Sequence, residues 1–353
     1  MKLILIAFTQ TGMELEKRLA AAAIRRGYET TAIIKSKYVN TADGDEVWQV
    51  EEKLSEWASE WIPQSDGVIF IGAAGICVRT IAPFVKSKKT DPAVLVLDEK
   101  GSFVIPLLSG HLGGANEMSL WIAEEIGATP VITTATDVNH HFAVDVFAKK
   151  NHLAISNMVL AKEVSALVLQ NTILPAGAGD GYVNKKNQSA FPELSFAKET
   201  APDGHRATFW IQLPDQSVLH LIPKAVTLGI GCKKGTPKEV IEEQVCRVLK
   251  SYGIFPQAIR QAASIDLKKE EPGLMAFCEK WKVPLVTYRT EELRQVEGDF
   301  TSSAFVSQIT GVDNVCERSA CLASRHGTLI VKKQAACGVT VACAVEDWSV
   351  DFE

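Results

Sequence analysis

Hydrophobic positions in the first 135 residues fall into short unbroken runs separated by stretches where apolar residues recur every three or four places. The runs LILIAF (3–8), TTAII (30–34), GVIFIG (67–72), AVLVLDE (93–99) and TPVITT (129–134) are apolar without alternation, as strands covered on both faces are. Between them, GMELEKRLAAAAIRRG (12–27) reads as a helix closed by Gly27, and VEEKLSEWASEWI (50–62) as a second helix with Trp57 and Trp61 four residues apart. Further helices are expected from about Ile76 to Val85 and up to about Ile126. Buried strands alternating with helices predict an α/β fold, with a parallel, doubly wound domain over residues 1–137.

The pattern then changes. Residues 138–223 read as a small, irregular α+β segment. KEVSALVLQ (162–170) is helical in pattern, the Gly- and Asn-rich run 176–188 suits a hairpin or loop, and ATFWIQL and VLHLI suit antiparallel strands. The Gly-rich run lacks the GK[ST] ending of a phosphate loop. Residues 224–353 predict a second α/β domain. It opens with the strand VTLGIGC and a helix over 236–253, capped by Thr236 with Pro237 at its first position. AIRQAASI and VPLVTY are further strands, two short helices occupy the stretch around 302–324, and TLIVKK with GVTVACAV closes the domain as a strand pair.

A formal net charge of -5 argues against a general nucleic-acid binder, which would show a basic excess. The start, MKLILIAFTQTG, fits a βα unit better than a signal peptide. No apolar stretch reaches the roughly 18 residues of a membrane span, so a cytoplasmic protein is expected. The 8 cysteines form no CxxC pair. Cys316, Cys321, Cys337 and Cys343 lack the spacing of zinc ribbons or fingers, so buried reduced thiols are expected. Adjacent His140 and His141 point in different directions and are not expected to chelate a metal together.

Candidate chemistry lies in four turns at strand–helix junctions: GAAGICVRT (72–80), SGHLGGANE (109–117), GIGCKKG (229–235) and ITGVDNVCE (309–317). Ligands in open parallel sheets bind beyond the carboxyl ends of strands, and helix N-termini suit anions. Gly72 and Gly75 miss the GxGxxG spacing of a dinucleotide fingerprint. Arg79, one turn beyond Gly75, is placed either to clamp a carboxylate or to sit as a solvated charge. His111, flanked by Gly110, Gly113 and Gly114, is a candidate for proton relay or water activation, for ligand positioning, or for structural capping. Glu117 is either a general base or a carboxylate favoured by the helix dipole. Asn116 is a candidate oxyanion donor. Lys233 and Lys234, between Gly231 and Gly235, either bind an anion that offsets their repulsion of the helix start or sit as solvated loop charges. Glu317 is either a helix-surface residue or lines the same cleft.

At these residues the chain resembles a known family. The stretch IGAAGICVRTIAPFVKSKKTDPAVLVLDEKGSFVIPLLSGHLGGANE, followed by IAEEIGATPVITTATD, resembles the N-terminal part of the CbiG proteins of cobalamin biosynthesis, the cobalt-precorrin 5A hydrolases. LGIGCKKGTP, ASIDLKKEEPGLMAFCEKWKVPLVTY and GVDNVCERSACLAS resemble that family's C-terminal domain, with Arg318 standing where a proline is expected. The resemblance implies a cobalt-bearing tetrapyrrole substrate rich in carboxylates, whose ring A δ-lactone is opened by water with release of acetaldehyde. On this reading no cofactor is needed, since cobalt arrives with the substrate, and other cobalamin-pathway enzymes are the expected partners. His111, with Glu117 and Asn116, takes the catalytic role. Backbone amides after Gly110 and Gly113 would serve the oxyanion. Gly72, Gly75, Arg79, Ser109, Gly114, Gly231, Lys233, Lys234 and Glu317 would contact substrate in one shared pocket. No GxSxG elbow is present, so direct water attack is expected over a covalent route. A non-catalytic tetrapyrrole carrier and a nucleotide-binding transferase are the alternatives from other classes.

Overall fold

Why the runs at 3–8, 30–34, 67–72 and 93–99 become strands is visible in their neighbours: each is covered by helices on both faces of one sheet. A computed structural model describes residues 1–39, 46–87, 90–111, 113–139, 141–184, 191–196 and 200–352. Its contacts divide the chain into two units, Met1–His140 and His141–Glu353.

The first unit runs β1 (Lys2–Ala7), α1 (Gln10–Arg25), β2 (Glu29–Ile34), β3 (Val47–Gln49), α2 (Leu54–Trp61), β4 (Gly67–Ile71), α3 (Ala74–Ile81), β5 (Ala93–Leu97), β6 (Phe103–Leu108), α4 (Ala115–Ile126), β7 (Thr129–Pro130) and α5 (Ala135–Val138). The sheet order is β3-β2-β1-β4-β5-β6-β7. One core, including Leu5, Leu19, Ile69, Leu95 and Ile122, lies under α1 and α4. The other, around Trp57, Phe70, Cys77 and Val96, lies under α2 and α3. Strands β1 to β5 pair in parallel, but β5 and β6 are antiparallel, and β7 is parallel to β6. The doubly wound sheet expected from the sequence is therefore mixed at one side. The cause is local: only residues 98–102 link β5 to β6, too few for a crossover. The Asp98 carboxylate accepts the Lys100 and Phe103 amides at 3.0 and 2.8 Å, and Gly101 turns the chain at φ 69°. The run 129–134 is also not one strand. It stops at Pro130, and Thr134 leads into α5.

The second unit continues with α6 (Val144–Lys150), β8 (Ala154–Ile155), α7 (Met158–Leu169), β9 (Leu174–Gly179), β10 (Tyr182–Val183), β11 (Leu194–Phe196), β12 (Thr208–Gln212), β13 (Val218–Ile222), β14 (Val226–Cys232) and α8 (Lys238–Ser251). It closes with β15 (Ile259–Ile265), α9 (Pro272–Trp281), β16 (Leu285–Tyr288), α10 (Thr290–Arg294), α11 (Ala304–Thr310), α12 (Cys316–Ala323), β17 (Thr328–Ala336), β18 (Val339–Val345) and β19 (Ser349–Val350). Two five-stranded sheets, β11-β9-β12-β13-β8 and β16-β15-β14-β18-β17, form it, with β10 and β19 paired apart from them. A single buried core joins residues of both sheets, from Phe142 and Phe209 to Leu228, Val245 and Val341. The start of the Gly-rich run, Ala176–Gly179, is buried strand rather than loop, paired with β11 and β12. Its far part, 185–188, lies outside the described residues.

Candidate functional site

The turn after β6 is built by its own residues. Ser109 takes the left-handed region (φ 58°) and Gly114 does so at φ 86°. A Cβ on Gly113 would lie 2.7 Å from the Ser109 carbonyl oxygen, and one on Gly110 would lie 2.7 Å from Asn116 Oδ1. Two of the glycines are thus required by close approach, not by a ligand. The amides of Gly114, Ala115 and Asn116 donate to the carbonyls of His111, Ser109 and Gly110 at 3.0, 3.1 and 3.0 Å. The amide after Gly113, expected to serve an oxyanion, is therefore spent inside the turn.

What the turn presents is a side-chain network. His111 Nε2 lies 2.6 Å from Asp137 Oδ2 and 3.2 Å from Thr136 Oγ1. The buried Asn116 amide donates to the same Asp137 oxygen at 3.1 Å and to Thr134 Oγ1 at 3.0 Å. Its two N–H groups are occupied, so Asn116 acts here on Asp137 and not as an oxyanion donor. Ser109 Oγ donates to the Asp91 carbonyl at 2.9 Å. Glu117 is exposed in the first turn of α4, outside this network. With Nε2 facing a carboxylate, the imidazole is oriented and a positive charge formed on the ring is stabilised. This is an acid–base arrangement at the carboxyl ends of two parallel strands, β6 and β7.

The other expected contacts lie elsewhere. The 72–80 turn follows β4 and faces the carboxyl end of β5, where Gly72 N donates to Leu97 O at 2.8 Å. Because β6 is reversed, residues 109–117 stand at the other end of β5, about 16 Å away along five strand residues. The two turns do not share one pocket within this unit, which overturns that expectation. Arg79 is exposed, and its guanidinium donates to Gly75 O of its own helix at 3.1 Å.

In the second unit, Lys233 and Lys234 are exposed. The anion their turn requires is supplied internally. Buried Glu271 accepts the Gly235 amide at 2.6 Å and the Lys268 ammonium at 2.8 Å, and that ammonium holds its carboxyl below the usual range. Thr236 bonds back to the Lys233 carbonyl instead of capping α8, which begins at Lys238. Gly231 packs against Thr340. Glu317 is fully buried and accepts the Thr301 and Lys333 amides at 2.7 and 2.6 Å and the Thr301 hydroxyl at 2.8 Å. It ties α12 to β17 and faces no cleft. Arg318 bonds Asp313 and the Leu293 and Val296 carbonyls, with its guanidinium 4.6 Å from the Phe300 ring centroid. His141 pairs with Glu193, while His140 lies outside the described residues.

Asp137, Thr134 and Thr136 were missed by the sequence reading. The expected strand 129–134 took in Thr134 and stopped short of Thr136 and Asp137, and the polar cluster just past it was the available signal. Comparison with known proteins places this turn in context. Residues 56–137 match the Cobalamin synthesis G N-terminal family, and residues 226–344 match Cobalamin synthesis G C-terminus. The chain belongs to the CbiG family. A family relative named cobalt-precorrin-5A hydrolase, from Salmonella typhimurium, is 33% identical over 97% of this chain and 97% of its own length. A second of the same name, from Priestia megaterium, is 30% identical over 96% and 94%. A solved structure of a cobalamin biosynthesis protein G homolog from Sulfolobus solfataricus is 20% identical, covers 98% of this chain and 97% of its own, and gives a TM-score of 0.41. Both halves of the His111 network fall inside the N-terminal match. Among the described residues no helix is long and apolar enough to cross a membrane.

Proposed function

We propose that the chain is a cobalt-precorrin-5A hydrolase that opens the ring A δ-lactone of a cobalt-bearing tetrapyrrole and releases acetaldehyde, acting in the cytoplasm. The observation that carries this reading is the imidazole–carboxylate pair of His111 and Asp137, set in a glycine-enforced turn within the family-matched region. The family relatives supply the substrate class. In this reading His111 takes a proton from water as it adds to the lactone carbonyl. The acyl C–O bond breaks to leave a carboxylate and an alkoxide on the two-carbon arm. The alkoxide becomes the aldehyde C=O as the C–C bond to the macrocycle breaks, and the imidazolium returns its proton to the macrocycle carbon left with the electron pair. Asp137 holds the imidazole and stabilises its charged form, Asn116 holds Asp137, and Thr134 holds Asn116. They are positioning residues. Cobalt comes with the substrate, and no cofactor is assigned to this step.

The test is anaerobic incubation of purified protein with the lactone intermediate, with acetaldehyde as the readout. General acid–base groups contribute about 100- to 10,000-fold. His111→Ala is expected to lose that much turnover while binding the tetrapyrrole as the wild type does. Acetaldehyde release near the wild-type rate from His111→Ala would remove the assignment. Tight binding with no acetaldehyde from the wild type would instead mark a carrier.

A further inference from the structure

The second unit brings together three side chains with metal-binding donor atoms, none of them a residue used above. Asp203, His205 and His220 place one ligand atom each within 4.8 Å of one another. His220 projects from β13 and is buried, 3% exposed. Its Nε2 lies 2.8 Å from Asp203 Oδ2, and its Nδ1 lies 3.4 Å from Thr208 Oγ1 on the neighbouring strand. Asp203 and His205 come from the loop before β12. Gly204 between them turns at φ 81°, and its amide bonds Ala201 O at 3.0 Å. Asp203 Oδ1 accepts the His205 amide at 3.2 Å, which leaves Oδ2 directed at both imidazoles. The loop is pinned from outside, because a Cβ on Gly253 would lie 2.7 Å from Gly204 O and 3.1 Å from His205 Cα. Phe255 stacks on His205 with centroids 4.4 Å apart and stands 5.0 Å from His220.

A simple hydrogen bond from His220 to Asp203 does not account for His205. Its Nδ1 is buried and 3.1 Å from Asp203 Oδ2, yet makes no hydrogen bond. Two imidazole nitrogens and a carboxylate oxygen within 4.8 Å of one another form a candidate donor set. Tetrahedral zinc with bonds near 2.0–2.1 Å separates its ligands by about 3.3 Å, close to the 2.8 and 3.1 Å from Asp203 Oδ2 to the two imidazole nitrogens. Two nitrogen donors favour zinc-type ions over calcium or magnesium, which take oxygen. The hydroxyl of Thr208 on His220 is the kind of outer contact that orients a ligating ring.

We propose that Asp203, His205 and His220 bind one divalent transition-metal ion of the zinc type, with its remaining coordination positions open to water or a small ligand. This departs from the sequence expectation that the chain holds no metal of its own, and it is independent of the hydrolase reading. The test is calorimetric titration of the metal-stripped full chain with zinc chloride. One zinc per chain is expected. Asp203→Asn and His205→Gln are each expected to weaken it at least about 100-fold, the upper end of what losing even an outer partner costs. Exposed Cys246 and Cys337 are the competing zinc binders, so Cys246→Ser/Cys337→Ser should bind as the wild type does. Cobalt(II) in place of zinc should give visible absorption without a thiolate charge-transfer band, a readout that holds even if a ligand variant misfolds. No zinc uptake, uptake unchanged in both ligand variants, uptake lost in the cysteine variant, or a thiolate band would each overturn the site.

Discussion

Glu16 gives the most quantitative test of the first unit. It sits on the buried face of α1, fully covered, with Oε1 accepting the Ile33 amide at 2.8 Å and Oε2 without a partner. Burial pushes its carboxyl from 4.5 to about 8, against the smaller opposing effects of that hydrogen bond and of Lys17. Between these two values the folded chain holds a proton that the unfolded chain has released. Stability from this group is therefore greatest below about pH 4.5, falls as pH rises, and levels off above about pH 8. At about pH 7 the loss is roughly 2.5 pK units, or about 3 kcal/mol, a large share of a domain's 5–15 kcal/mol. Glu16→Gln keeps an acceptor for Ile33 and cannot titrate. Urea unfolding of both full-length proteins across this range should show the variant gaining on the wild type by up to about 1.4 kcal/mol per pH unit. Comparing the two cancels the other titrating groups. A difference that stays constant with pH would refute the reasoning.

Three further outcomes follow from particular contacts. Asp137→Asn removes the carboxylate that His111 and Asn116 share, and acetaldehyde turnover should fall by more than about 100-fold with the circular dichroism spectrum unchanged. Unaltered turnover would show that Asp137 does not set the imidazole. Gly229→Ala places a Cβ 1.7 Å from the Cys316 carbonyl oxygen, so α12 must lift off β14. The second unit should lose about 3 kcal/mol in chemical unfolding, at the upper end for overpacking. A thiol reagent on the native chain should label Cys246 and Cys337 rapidly and spare Cys77, Cys316 and Cys343, which are buried and pushed up to about 12. Rapid labelling of those three would contradict the packing.

The strands and helices were legible because burial on two faces leaves an apolar run and burial on one leaves a helical stripe. The direction of β6 was harder to read. AVLVLDE reads as a buried strand, and the turn at 109–117 reads as a junction after another strand, its direction left open. Only the shortness of the link, with Asp98 and Gly101 inside it, reveals a hairpin. The glycines around His111 were noticed for the right position and partly the wrong reason, since Gly110 and Gly113 make room for Asn116 and Ser109. The lysines at 233 and 234 called for an anion, and pattern alone could not show that Glu271, remote in sequence, fills that need. Asp137 was hidden for the same reason: its partner is 26 residues away, and no local periodicity records such a pairing.

The reversal of β6 also sharpens what Arg79 can do. Its turn lies at the carboxyl ends of β4 and β5, near Thr9, whose hydroxyl donates to Glu99 at 2.8 Å. That is where the sheet order turns from β1 to β4, the usual ligand crevice of an open α/β sheet. The His111 network stands at the opposite end. A single strong Arg–carboxylate contact contributes about 1.5–3 kcal/mol, so a substrate gripped there would raise KM by roughly 10- to 150-fold in Arg79→Ala. With the chemistry placed at His111, the expected result is instead a change below about threefold in both kcat and KM, while His111→Ala loses kcat. Should Arg79→Ala abolish acetaldehyde release and His111→Ala preserve it, the reaction belongs at the β1–β4 crevice. The imidazole–carboxylate pair would then be a device for closing the turn between β6 and α4.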